Sequence, residues 1–281
     1  MIPYFQQPTL SLGPVTLHAF GALAGAALLA GSALVVRRCR TSGLDPAVGG
    51  DLAVYAIVAG FVVAHLYSQL AYFPRELLDD PLRLFKLWEN ISSFGGFVGG
   101  VAGIWLFFRT RARDLSREER WRYLDAVAFA LPFAWAIGRL GCTVAHDHPG
   151  TVTTFPLAVS LSTPAARAYI ASYYDAAGRL ADLPPAARLA RMGFHDLGWY
   201  EFLYTLLAIV PAFLALDRRP RRPGFFAAAF VFLYVPVRFA LDFLRLADAR
   251  YFGLTPAQYA AIAGLAAAVW VSWRLRLGRP P

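Results

Sequence analysis

The sequence predicts an all-α, polytopic membrane protein with about seven transmembrane helices, its N-terminus outside and its C-terminus cytoplasmic. Three observations predict it. Of the 281 residues, 58% are apolar and 15% aromatic, a composition too apolar for an ordinary soluble domain. Stretches long enough to cross a hydrocarbon core of about 30 Å recur along the chain. More than half of the 27 basic residues fall at alternate ends of those stretches, as the positive-inside rule requires of one orientation.

No Lys or Arg occurs before Arg37, so the chain start lacks the basic region of a cleavable signal and is expected outside. The first span, roughly 14–36, ends in Arg37, Arg38 and Arg40, which read as cytoplasmic. A second, roughly 51–73, runs outward to an interfacial helix expected over about 74–90. The third, roughly 91–108, opens on Phe94-Gly-Gly96 and continues in small residues to Gly103, which permit close helix approach. It returns to a basic run of Arg109, Arg111, Arg113, Arg117, Arg120 and Arg122.

A fourth span, roughly 124–141, leads to an extracytoplasmic insertion over about 142–196, expected to hold a short helix and a mobile lid or arm. Spans five to seven cover roughly 197–216, 225–245 and 257–273. Arg218, Arg219, Arg221 and Arg222 follow the fifth, and Arg274, Arg276 and Arg279 the seventh. No internal repeat or second domain is visible, so 1–281 reads as a single transmembrane domain. Cys39 and Cys142 fall at opposite faces and cannot pair. The net charge of +9 does not indicate nucleic acid, because the arginines are neither gathered on a basic domain nor interleaved with stacking aromatics.

Ionisable groups inside a membrane are costly and are functional candidates by default. At about 1.5 Å per helical residue, His65, Arg139 and Arg238 lie roughly 20–22 Å from the cytoplasmic ends of their spans. Phe20, Gly95, Gly96 and Glu201 lie roughly 6–9 Å below the outer ends of theirs. All reach one layer. A lone arginine near a helix end commonly snorkels to headgroups; two arginines, a histidine and carboxylates at one depth indicate a site. Arg238, Asp242 and Arg245 are spaced i, i+4, i+7 on one expected helical face, where Asp242 can orient the arginine forks. Guanidinium forks bind phosphate bidentately, which suits an anionic phospholipid headgroup. Gly138 and Gly141 flank Arg139 and allow close backbone approach.

Several motifs resemble the prolipoprotein diacylglyceryl transferase family over almost the whole chain. Ser11-Leu-Gly-Pro-Val-Thr-Leu-His-Ala-Phe-Gly21 is similar to its first-span pattern, and Ile137-Gly-Arg-Leu-Gly141 to the start of its signature. His195-Asp-Leu-Gly-Trp-Tyr-Glu201 resembles its His-Pro-Ser-Gln-Leu-Tyr-Glu, and Arg238-Phe-Ala-Leu-Asp-Phe-Leu-Arg245 its Arg-x-x-x-Glu-x-x-Arg run. The resemblance implies a bacterial inner-membrane enzyme, without cofactor, whose site faces the extracytoplasmic leaflet. It would transfer a diacylglyceryl group from phosphatidylglycerol to the lipobox cysteine thiol in the signal peptide of a prolipoprotein. Glycerol-1-phosphate would leave. Tyr200, Glu201, Phe20, Cys142 and Gly150 join the substrate-binding set on this basis.

The chain also departs from the pattern. After Gly-Arg-x-Gly the family has Asn-Phe-x-Asn-Gly-Glu; here the residues are Cys142-Thr-Val-Ala-His-Asp147, followed by His148-Pro-Gly150. Phe94 stands where the family carries a histidine, and His65 where it carries a second-span arginine. Arg139 and Arg238 are expected to stabilise the departing phosphate, and His146, Asp147 and His65, with His148 beside them, to supply the proton acceptor. No metal is expected, since His146-x-His148 with His65 lacks a fourth ligand. Two readings remain beside the transferase: a paralogue of this fold with another lipid donor or acceptor, and a non-catalytic lipid-binding protein.

Overall fold

A computed structural model describes residues 1–13, 15–71, 73–86, 91–246 and 250–277; the side chains of residues 12, 15, 71, 93 and 94 lie outside that set. Arg279, the end of the expected interfacial helix at 87–90 and the side chain of Phe94 therefore fall outside the described residues.

In chain order the elements are β1 (Thr9–Leu12), β2 (Val15–His18), α1 (Ala19–Thr41), α2 (Pro46–Ala71), α3 (Pro74–Asp79), α4 (Ser93–Thr110) and α5 (Arg117–Ala145). There follow β3 (Pro149–Thr153), β4 (Val159–Ser160), α6 (Pro164–Ala176), α7 (Ala186–Leu189), β5 (Gly193–Asp196), α8 (Leu197–Tyr204), α9 (Val210–Leu216), α10 (Phe225–Leu241) and α11 (Pro256–Leu275). Among the described residues, five helical stretches are long and apolar enough to cross a membrane: Ala19–Thr41, Pro46–Leu70, Arg117–Ala145, Leu197–Leu216 and Phe225–Leu244. The chain is a mostly helical, multi-pass membrane protein. The other two expected spans coincide with α4 and α11, which are helices of 18 and 20 residues.

Two compact units are distinguished, one of residues Ala30–Ala130 and one of Met1–Leu29 with Leu131–Pro281. In the first, α2 and α4 pack through glycines. A methyl group on Gly99 would lie 2.4 Å from the carbonyl oxygen of Ala59 and 2.7 Å from Val63 Cβ. Gly95 and Gly103, one turn away on either side, are equally tight against α2. The small-residue run therefore serves backbone approach, the packing mode available where lipid offers no hydrophobic drive. At one end of this unit Val35, Cys39, Leu52, Phe107, Tyr123 and Ala126 form a core.

The second unit carries the spans Leu197–Leu216 and Phe225–Leu244, parts of α1 and α5, and a small head. Thr163 caps α6 by accepting from the Ala166 amide, and α6 buries Ala166, Ile170 and Tyr174 at four-residue intervals. That stripe packs on Val159, Leu161, Leu189, Phe194 and Leu246. A three-stranded antiparallel sheet ordered β3-β5-β4 lies beneath, so the insertion holds a sheet that helix periodicity did not announce. Ile2 adds a bridge beside Val159, donating its amide to Ala158 at 2.8 Å and accepting from Ser160 at 2.7 Å.

The fifth and sixth spans keep their expected bounds, Leu197–Leu216 and Phe225–Leu244, but are not α-helical throughout. The fifth span is interrupted by a π turn at Thr205–Ile209, next to Pro211, which has no N–H to continue the α ladder. The sixth leaves the α form at Leu241 and ends in a 3₁₀ turn, Asp242–Leu244, with Arg245 extended. The α form thus ends between Arg238 and Asp242, while their i,i+4 ion pair is kept.

Candidate active site

α5 presents Arg139, α8 Glu201, and α10 Tyr234 and Arg238, and the four side chains meet in the second unit. Arg139 Nη2 lies 2.9 Å from Glu201 Oε2, with their side chains 6% and 1% exposed. Tyr234 ties the pair: its hydroxyl donates to Glu201 Oε2 and accepts from Arg139 Nη2 at 3.3 Å. Arg238 Nε sits 3.4 Å from Glu201 Oε1, an ion pair without a hydrogen bond, since that oxygen has no such partner among the described residues. Arg238 Nη1 donates to Asp242 Oδ1, and Asp242 Oδ2 accepts from Thr255 Oγ1 at 3.2 Å. Arg245 Nη1 stands 3.9 Å from the same Oδ1. Despite the end of the α-helix, Asp242 still lies between the two arginines, because the 3₁₀ turn keeps the chain turning on one side.

Burying these charges is tolerable only because they are paired. The guanidiniums of Arg139 and Arg238 thus share the single Glu201 carboxylate, and Asp242 stands between Arg238 and Arg245. Arg139 Nε is buried and partnerless among the described residues, and the guanidinium lies 4.6 Å from the Trp135 ring centroid. Thr143 donates to the Arg139 carbonyl at 2.9 Å. Such a cluster, preorganised and water-poor, is suited to an anion or to negative charge that develops in a reaction.

The turn after α5 adds ionisable groups. Arg139 Nη1 donates to Cys142 Sγ at 3.6 Å. His148 Nδ1 is bonded to Asp147 Oδ1, and potential ligand atoms of Cys142, Asp147 and His148 all lie within 4.8 Å of one another. Asp147 and His148 act electrostatically on this group: Cys142 senses Asp147 and Glu201, and Glu201 senses His148. As a metal set the trio is compromised, since a guanidinium addresses the sulfur and the imidazole and carboxylate bond each other.

His146 lies elsewhere in the unit. Its Nδ1 is 2.6 Å from Asp196 Oδ2, both residues buried, while its ring packs on Tyr4 at 5.2 Å, Phe5 at 4.9 Å and Phe194 at 6.0 Å. Nε2 is buried without a partner among the described residues. His146 has φ +52°, a left-handed conformation costing a non-glycine residue roughly 1–2 kcal/mol; the motif it resembles carries glycine there. Asp196 and the aromatic rings hold it. Tyr169 donates to the His146 carbonyl, and burial first, then Tyr173, pushes the Tyr169 phenol up, keeping it a donor.

Gly141 packs on α1, where an added methyl would stand 3.3 Å from Phe20 Cδ2; Gly138 faces Ala27 with room to spare. Gly150 is pressed on the sixth span's end: an added methyl would lie 2.7 Å from the Leu244 carbonyl oxygen, and its bridge to Arg245 anchors that arginine's backbone. Tyr200 is not in the arginine cluster; its hydroxyl meets His195 Nδ1 at 2.9 Å. Burial holds the His195 imidazole below its ordinary range. His65, Gly95 and Gly96 belong to the first unit, where His65 Nε2 bonds the Arg83 carbonyl at 3.0 Å. Cys39 and Cys142 are free thiols.

Three participants escaped the sequence reading. Tyr234 carries no charge and looks like any aromatic in a span. Asp196 sits at a span boundary, where carboxylates are ordinary; its one signal is its position as N-cap of α8, accepting from the Trp199 amide at 3.1 Å. Thr255 likewise reads only as the cap of α11.

Residues 7–274 match the family described as prolipoprotein diacylglyceryl transferase. Similar proteins bear the name phosphatidylglycerol–prolipoprotein diacylglyceryl transferase. That of Chromohalobacter salexigens is 28% identical over 278 residues, covering 95% of this chain and 93% of the relative. The Frankia alni protein is 29% identical over 96% of this chain but 63% of its own length. The Sodalis glossinidius protein is 29% identical over 88% of this chain and 84% of its own.

Proposed function

Because the chain belongs to the prolipoprotein diacylglyceryl transferase family, we propose that it transfers a diacylglyceryl group from phosphatidylglycerol to the lipobox cysteine thiol of a prolipoprotein signal peptide. The observation that carries this reading is the buried Arg139–Glu201–Arg238–Asp242 network, which holds two guanidiniums side by side on one carboxylate. Arg139, Arg238 and Arg245 take the phosphodiester, Glu201, Tyr234 and Asp242 fix their orientation, and Phe20, Gly138 and Gly141 form the neighbouring wall. The acceptor sulfur attacks the glycerol carbon of the diacylglyceryl group, the C–O bond to phosphorus breaks, and glycerol-1-phosphate leaves with the bonding pair. The arginines stabilise that oxyanion as it forms. The thiol proton passes to His148, which Asp147 orients. His146, held by Asp196, positions the turn that carries both.

The same reading extends to topology. α4 and α11 serve as additional spans, making seven, with the N-terminus outside and the C-terminus cytoplasmic. The chain is one transmembrane domain of the bacterial inner membrane, and its insertion at 142–196 lies on the extracytoplasmic side, over the site. A second reading is favoured by one observation: Cys142 and Ala145 replace the family's signature asparagines, and Phe94 its histidine. On that reading the fold and phosphate site are kept and another lipid donor or acceptor is used.

Purified protein, phosphatidylglycerol labelled in both its diacylglyceryl and glycerophosphate parts, and lipobox peptides with Cys or Ser at the acceptor position test the proposal. The Cys peptide is expected to gain the diacylglyceryl mass with equimolar release of glycerophosphate. Lipid binding without transfer to either peptide would leave the second reading; absence of binding would overturn both.

A further inference from the structure

At the arginine-rich end of the first unit, α4 and α5 flank an open cavity of about 240 Å³ that the proposed reaction does not use. Its α4 wall is Trp105, Phe108 and Arg109, and its α5 wall is Arg117, Arg120 and Trp121. Each set recurs at intervals of three and four residues, one helical face apiece. Three guanidiniums line the cavity and no carboxylate does. Of the neighbouring acids, Asp114 and Glu118 are exposed and Glu119 accepts from the Ser116 amide at 2.8 Å while its own amide donates to Ser116 Oγ at 3.2 Å.

The arginines differ in their freedom. Arg120 is built in: it donates to the carbonyls of Leu115 at 3.0 Å and Arg113 at 2.7 Å, holding the loop between the helices. Arg109 and Arg117 are exposed and have no ion pair among the described residues; Arg109 lies 5.1 Å over the Trp105 ring. From the cavity an exposed apolar stripe runs along α4 through Trp105, Val101 and Phe97, each more than 40% exposed. Cationic pocket, interfacial tryptophans and apolar stripe follow one another along the helix axis, as headgroup, glycerol and acyl chain do in a lipid.

We infer that this cavity is a binding site for the phosphodiester headgroup of an anionic phospholipid, its acyl chains lying along Trp105, Val101 and Phe97. The site uses none of the residues assigned to transfer, so it stands or falls separately from that reading.

The test is native mass spectrometry of the full protein released from nanodiscs of phosphatidylcholine with increasing phosphatidylglycerol, comparing wild type with the R109Q/R117Q double variant. Both side chains are exposed and lack ion pairs among the described residues, and unchanged thermal melting verifies the fold. The variant is expected to lose one retained phosphatidylglycerol, with roughly tenfold weaker occupancy for two phosphate contacts removed, while diacylglyceryl transfer persists. A second arm adds inorganic phosphate at millimolar concentration, which is expected not to displace the lipid. A third uses Arg139→Gln, expected to lose a different lipid. Equal phosphatidylglycerol occupancy in wild type and R109Q/R117Q would overturn the site, and displacement by inorganic phosphate would overturn its assignment to lipid.

Discussion

Glu201→Gln keeps the shape of the side chain and removes one buried charge. Arg139 then loses its carboxylate, which stands 2.9 Å away, while Arg238 keeps Asp242. Removing one partner of a buried pair costs about 3–5 kcal/mol, because the other charge is left uncompensated. The glutamine carbonyl still accepts a hydrogen bond worth about 1 kcal/mol, so the expected loss is about 2–4 kcal/mol. Adding Arg139→Gln removes the stranded charge, so the double variant should be more stable than the sum of the single losses by about 1 kcal/mol or more. Reversible unfolding in mixed detergent–denaturant micelles measures all four corners of the cycle. A Glu201→Gln loss below about 1 kcal/mol, or strict additivity in the cycle, would refute the claim that this carboxylate neutralises Arg139 in a low-dielectric site.

His148→Ala should lower turnover by roughly 10²–10⁴-fold with lipid affinity retained, whereas His146→Ala should act mainly on stability; labelled-lipid transfer beside thermal melting separates them, and the reverse pattern would make His146 the proton acceptor. The lowered His195 pKa sets a sign for acid stability. Between that value and the free imidazole's, about 6.5, the unfolded chain binds more protons, so stability is full above about 6.5 and falls as pH drops through the window. His195→Gln should flatten the change in melting point from pH 8 to pH 5, and an unchanged slope would remove His195 as its source. Gly99→Val forces α2 and α4 apart and should cost about 1–3 kcal/mol or more by overpacking, read as a lowered melting point, whereas Gly96→Ala, with its nearest contact at 3.8 Å, should be tolerated. Dialysis against a chelator should leave transfer unchanged if Cys142, Asp147 and His148 act through hydrogen bonds; its loss, restored by zinc, would make the trio a metal site.

The sequence by itself determined that this chain lives in a membrane and where its helices run, because apolar length and arginine placement are one-dimensional properties that the bilayer reads directly. It also singled out Arg139, Glu201, Arg238 and Asp242, since a charge inside an apolar helix is conspicuous without any knowledge of its neighbours. Only the tertiary structure decided which groups meet. Tyr234 joins Arg139 to Glu201 across three helices, and no pattern within α10 marks it out from the other aromatics there. His146 and His148 are two residues apart, yet one turns to Asp196 and the other to Asp147; the left-handed backbone at His146 sends them different ways. The early end of α10 at Leu241 and the π turn at Thr205–Ile209 were likewise not marked by any pattern in the apolar runs. A charge within an apolar span is conspicuous from the sequence, but azimuth and partner come from helix packing, so the charged candidates were readable and the hydrogen-bond network that joins Arg139, Tyr234 and Glu201 was not.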